Sequence, residues 1–159
     1  MKDIELAKKL LDNEEKAIVI VKDGKVIFSS EGKGIKPIYT ALKEFKDRLQ
    51  GSSVADKVLG RAAAMICQHA GIKELSTKLI SGTAIEFLNN TSIVYEYEKL
   101  VPYIKNRDLS GMCPIESLSL EADSVDELLT KISEFLGPGN YVYSARKDEE
   151  SAYDYSNIV

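Results

Sequence analysis

Two short segments of this 159-residue chain carry residue types and spacings that could do chemistry. The first is Gly51-Ser52-Ser53-Val54-Ala55-Asp56-Lys57. Read as the start of a helix, it would present free backbone N–H groups and a partial positive charge. Ser52 and Ser53 add hydroxyl donors and Lys57 adds a full charge, a set that suits a phosphate or carboxylate. The same residues also fit a plain helix start, with Ser52 or Ser53 as cap and Asp56 favourable in the first turn. The second segment is Asn106-Arg107-Asp108 with Ser110-Gly111-Met112-Cys113-Pro114. Arg107 could grip a carboxylate or phosphate as a fork, or pair structurally with Asp108. Asn106 would add an amide to the ligand contacts.

Catalysis by these residues would take a definite form. Lys57 and Asp108 could act as a general acid–base pair while Arg107 orients the substrate. Cys113 could be a nucleophile if a positive neighbour lowered its pKa, or an inert buried thiol if none did. Metal binding is not expected. Cys67 and His69 lie two apart on a predicted helix and so point about 200° apart, and beyond these two and Cys113 there is no fourth soft ligand. His69, the single histidine, reads as a favourable charge at a helix end, which leaves no Ser-His-Asp or Cys-His triad. No phosphate-binding Gly-x-x-x-x-Gly-Lys-Ser/Thr occurs, and Glu31-Gly32-Lys33-Gly34 is too short for a dinucleotide fingerprint. Tyr95, Tyr97 and Tyr103 could stack on a base, but alternating tyrosines on a strand more often pack.

The elements that must position these residues follow from periodicity. Ile4, Leu6, Ala7, Leu10 and Leu11 predict an amphipathic helix over residues 3–13. Ala17–Val21 and Val26–Phe28, joined through Asp23-Gly24, predict a β-hairpin. Pro37 opens a helix with Ile38, Leu42, Phe45 and Leu49 on its buried face. A second helix, apolar nearly all round, is predicted from Val54 to His69, stopping at Gly71. Glu74–Ile80 is a predicted strand, Ser81–Leu88 a short helix and Ile93–Tyr97 a further strand. Residues 101–114 lack a period and read as a structured loop. Pro114 opens a short helix, and Ser124 to Leu136 form another, capped by Ser124 or Asp123 with Glu127 placed for a capping box. Tyr141-Val142-Tyr143 is a candidate last strand, and residues 148–159 form an acidic, frayed tail after a single domain over 1–147. The order implies a three-layer α/β fold, a mixed sheet opening with a hairpin and covered by helices on both faces.

Composition sets bounds on function. Apolar residues make up 44% and charged residues 29%, an ordinary globular balance. The net charge of −4 argues against a nucleic-acid polymer as partner. No run of about 18 apolar residues is present and no signal-peptide core follows Met1, so no membrane span and a cytoplasmic location are expected. Two cysteines in a chain of this length make no disulfide framework, although one Cys67–Cys113 bridge is open to them.

The order of hairpin, buried helix, strand, helix and strand resembles the cytidine-deaminase-like fold. Val54-Ala55-Asp56-Lys57-Val58-Leu59-Gly60-Arg61-Ala62-Ala63-Ala64 is similar to the signature of an uncharacterised prokaryotic family assigned to that fold. So are Tyr97-Glu98-Lys99-Leu100-Val101-Pro102-Tyr103-Ile104, Asn106-Arg107-Asp108 and Gly111-Met112-Cys113-Pro114-Ile115-Glu116. The likeness covers roughly residues 15–120 and implies no particular activity. A zinc deaminase needs a His or Cys ligand with a Glu two residues on, and a Pro-Cys-x-x-Cys at the next helix. Here the two positions are taken as Ala55-Asp56-Lys57-Val58 and Ser81-Gly82-Thr83-Ala84, which supply neither.

The sequence therefore implies a metal-free and cofactor-free domain binding a small anionic molecule, nucleotide-like or phosphorylated. Its pocket is expected between residues 52–57 and the Asn106–Cys113 loop, with transferase chemistry open to it. An interaction module, in particular a homodimer, is the competing expectation.

Overall fold

The computed structural model describes residues 1–106 and 108–137. Helix α1 (Asp3–Asn13) is followed by strands β1 (Ile18–Lys22) and β2 (Lys25–Ser30), then helix α2 (Lys36–Phe45) and a 3-10 turn over Lys46–Leu49. Strand β3 (Ser53–Leu59), helix α3 (Arg61–Ala70), strand β4 (Glu74–Ser81), helix α4 (Gly82–Leu88) and strand β5 (Val94–Val101) come next. Helices α5 (Pro114–Glu121) and α6 (Val125–Leu136) end the described chain. None of these helices is long and apolar enough to cross a membrane. The candidate strand at Tyr141–Tyr143 and the acidic tail lie outside the described residues.

The five strands form one open mixed sheet in the order β2-β1-β3-β4-β5. β1 is antiparallel to both β2 and β3, whereas β3, β4 and β5 run parallel. The hairpin turn uses Asp23 and Gly24, both at positive φ (51° and 77°), the left-handed pair that such a turn requires. Asp3 fixes that turn against α1. Its two carboxylate oxygens accept the N–H groups of Asp23 and Gly24, each at 2.9 Å.

The sheet is covered on both faces, as the alternation of apolar residues predicts. Val19, Val21 and Ala55 point to one face and pack on Ala7 and Leu11 of α1. Ile18, Ile20, Val54 and Leu75 point to the other, where α2 to α6 build the larger core. This is the three-layer α/β architecture expected from the sequence.

One element differs from expectation, and it matters for the site. Residues 53–59 form the central strand β3, and the helix begins only at Arg61. A central strand buried on both faces is a continuous apolar run, which periodicity alone does not separate from a buried helix. Pairing with β1 on one side and β4 on the other settles the conformation in favour of a strand. Gly60 then caps α3 in extended conformation (φ −96°, ψ −179°). The expected helix over 37–49 also divides: Lys46 takes a positive φ of 45° and the last turn tightens to 3-10.

Candidate functional site

Residues 53–59 are a strand, so no helix N-terminus exists at Ser52 and Ser53 to present free N–H groups. Ser52 is fully buried; its hydroxyl donates to the Leu49 carbonyl at 2.6 Å and its N–H to the same oxygen at 3.0 Å. Ser53 is 1% exposed, and its hydroxyl finds no hydrogen-bond partner among the described residues. It lies on the α1 face of the sheet, paired with Val21 at the start of β3.

Asp56 and Lys57 stand further along β3. Asp56 pairs with Ile18 in β1, so its side chain points into the helical layer beside α2 and α3. There it lines a cavity of about 100 Å³ walled by Ile18, Pro37, Ile38, Val58 and Ala63. Glu31, Lys33 and Lys57, all exposed, form the charged rim. Lys16 meets Glu31 at 3.4 Å across that rim. Burial pushes the Asp56 carboxyl up from 3.8 to about 7, against the opposing pull of the Val58 and Lys57 N–H groups. A carboxyl titrating near neutrality in an apolar cleft can both donate and accept hydrogen bonds in the physiological range.

The described residues of the second expected segment serve other contacts. Asn106 and Asp108 hold their own turn together. The Asn106 Oδ1 accepts from the N–H groups of Ser110 (3.0 Å) and Gly111 (3.3 Å). The Asp108 Oδ1 accepts from the Ser110 N–H (3.0 Å) and hydroxyl (2.6 Å), and these bonds hold its carboxyl below the usual range. Asn106, Asp108 and Cys113 are not among the residues that line the Asp56 cavity. Arg107 lies outside the described residues. Cys113 is fully buried at the start of α5, and its N–H donates to the Ile104 carbonyl at 2.7 Å. Cys67 is likewise buried on α3; burial and, second, the Asp56 charge push its thiol well above the ordinary range. No disulfide joins Cys67 and Cys113.

The true N-terminus of α3, at the carboxyl end of β3, is occupied by Glu116 of α5. Its Oε1 accepts the Arg61 N–H at 2.7 Å, and its Oε2 accepts the Ile104 N–H at 2.6 Å. The Ser81 hydroxyl lies 3.4 Å from Oε1. Glu116 is 2% exposed. Sequence reasoning quoted this residue only as part of a motif. The available signal was a Glu at the third position of a helix opened by Pro114, where a carboxylate ordinarily reaches back to its own cap; here it reaches to another helix instead. The zinc-motif position at the start of the buried helix also moves, from Ala55–Val58 to Gly60-Arg61-Ala62-Ala63, which again offers no soft ligand. Among the described residues no three His, Cys, Asp or Glu side chains cluster as a metal site.

Comparison with known proteins agrees with this fold. The chain is 30% identical to a DUF1893 family protein from Thermotoga maritima whose crystal structure superposes with a TM-score of 0.75 over 83% of this chain and 89% of that one. A deaminase/reductase from the same organism, diaminohydroxyphosphoribosylaminopyrimidine deaminase/5-amino-6-(5-phosphoribosylamino)uracil reductase, is 18% identical. It superposes with a TM-score of 0.41 over 60% of this chain and 35% of that one. No curated protein is significantly similar. The family model described as a domain of unknown function (DUF1893) matches residues 6–136, and the chain belongs to that family.

Proposed function

We propose that this domain binds a small molecule in the cavity between β3, α2 and the start of α3, without a metal ion. The observation that carries the reading is Asp56, a carboxyl aimed into an apolar cavity with exposed Lys57 beside it at the rim. At about 100 Å³ the cavity is smaller than the roughly 150 Å³ that encloses benzene, so a single ring fits with its outer edge left in the open mouth. The ligand we favour therefore has two parts. A flat, hydrogen-bonding ring sits between Ile18, Pro37, Val58 and Ala63 with its polar edge on Asp56. An anionic group, such as a phosphate, stays outside the cavity within reach of Lys57. A few convergent polar groups in a mainly apolar cleft is the usual composition of such sites. Should the domain also catalyse a transfer, Asp56 is the group placed to move a proton, in the role first given to Asp108.

A thermal-shift screen over nucleobases, nucleosides, nucleotides and sugar phosphates tests this. A ligand at 100 times its Kd should stabilise the fold by roughly 2.7 kcal/mol. Asp56→Asn should abolish the shift from ring-bearing hits, Lys57→Ala should weaken nucleotides more than nucleosides, and Ala63→Met should block both by filling the cavity. Hits that survive Asp56→Asn and Ala63→Met together would place the site elsewhere.

A further inference from the structure

We infer that the outer edge of β5 is an interface at which a second copy of this chain pairs antiparallel, with Tyr97 on the two-fold axis. The sheet has two edges, and they are built differently. β2 is six residues long, and its pairing with β1 is interrupted by a register shift at Ile20/Val21, one of the devices that blunt an edge. β5 is eight residues long and pairs with β4 in unbroken register from Val94 to Val101. Among the described residues nothing pairs with its other side. β5 also carries three exposed large apolar side chains: Val94 at 62%, Tyr97 at 44% and Leu100 at 50%.

The backbone says which groups of β5 remain to be paired. The Val94 N–H donates to the Lys73 carbonyl just before β4, at 3.2 Å. Backbone groups alternate between the two sides of a strand, so residues 94, 96, 98 and 100 bond inward to β4. Residues 95, 97, 99 and 101 direct their N–H and C=O groups outward.

A two-fold axis through Tyr97 uses these groups in an allowed antiparallel register. Tyr97 meets Tyr97 of the second copy, and Tyr95 meets Lys99, both as hydrogen-bonded pairs. Val94 meets Leu100 twice, as closer pairs without hydrogen bonds, where side chains approach most tightly. The three exposed apolar residues sit three apart on either side of position 97, so this axis brings Val94 against Leu100 and Tyr97 against itself. Glu96 and Glu98 also come opposite each other. Lys8 on Glu96, and Lys78 shared between Asp12 at 2.6 Å and Glu98 at 3.3 Å, offset part of the repulsion between them. The interface is remote from the Asp56 cavity, which lies on the β1 side of β3.

Sedimentation equilibrium on the full chain should give a mass twice the 17.6 kDa of one copy at micromolar concentration. Tyr97→Lys places two ammonium groups face to face on the axis and should return the mass to one copy. Leu120→Lys, at a residue 46% exposed on α5, should leave the dimer intact. The register is read by cysteine pairing. Val94→Cys and Leu100→Cys proteins, mixed and mildly oxidised, should form an interchain disulfide, because such pairs stand about 4.5 Å apart. Neither variant should cross-link alone. A single-copy mass at high micromolar concentration, or a dimer in which the mixed variants fail to cross-link, would overturn the assignment.

Discussion

The carboxylate of Glu116 sits on the first backbone N–H of α3, accepting from Arg61 at 2.7 Å, and with its other oxygen accepts from Ile104 at 2.6 Å. One side chain thus satisfies an orphan donor at the start of the buried helix and anchors the loop that follows β5. The helix N-terminus that could have taken an external anion holds an internal one. Glu116→Ala should leave two buried donors without an acceptor and cost about 2–5 kcal/mol. Glu116→Gln keeps the shape but offers one oxygen where two are needed, and should cost about 1–2 kcal/mol. Urea unfolding of the two variants measures both. Equal, negligible losses would mean that water replaces the carboxylate without penalty.

Gly60 is tied to the same contact. A Cβ at that position would lie 3.1 Å from the Glu116 Oε1 and 3.1 Å from the Ile104 Cγ1. Its backbone needs no special φ, so the constraint is space alone. Gly60→Ala should destabilise by about 1–2 kcal/mol through overpacking. The cost should shrink in a Glu116→Ala background, where the neighbour that it meets is gone. A double-mutant cycle with additive losses would show that the two residues do not press on each other.

Much of this fold is legible in the sequence where local and tertiary signals agree. Asp23-Gly24 between apolar strands gives the hairpin, and Ser124 caps α6 by accepting the Glu127 N–H at 3.1 Å as its spacing predicts. β3 is illegible for a physical reason: Val54, Ala55, Val58 and Leu59 carry no period-2 alternation when both faces of a strand are buried. That one misread element displaced the candidate site. Asp56 and Lys57, expected at a helix end that lies instead at Gly60 and Arg61, line a cavity from a strand. The partners expected for them, Asn106 and Asp108, instead close a local turn through Ser110, a use that short polar side chains commonly find and that spacing does not reveal.

Neither thiol is placed to be a nucleophile. Cys113 is 0% and Cys67 1% exposed; at Cys67 burial and, second, the acid Asp56 oppose thiolate formation. Labelling of the native protein with a thiol reagent should therefore be slow at both cysteines and should follow the global unfolding transition as urea is raised. Rapid modification of Cys113 under native conditions, with Cys67 protected, would restore the nucleophile first considered for it.

Asp56 should make stability depend on pH in a direction opposite to that of ordinary paired carboxylates. The folded chain holds its proton more tightly than the unfolded chain, about 7 against 3.8. Its contribution is therefore fully present below about pH 3.8 and is lost as pH rises through 7. The whole displacement corresponds to about 4 kcal/mol at most, and because Asp56 keeps partial solvent exposure the effect should be about 2 kcal/mol. Asp56→Asn, which keeps the shape and cannot ionise, should be more stable than the parent by that amount at pH 8 and indistinguishable from it at pH 3. The difference between the two unfolding midpoints, followed across this range, isolates Asp56 from the other carboxylates, since every other group is shared. A parallel pair of pH profiles, or an Asp56 carbon resonance titrating near 4, would mean that the carboxyl is solvated in the folded state and that the cavity is open to bulk water.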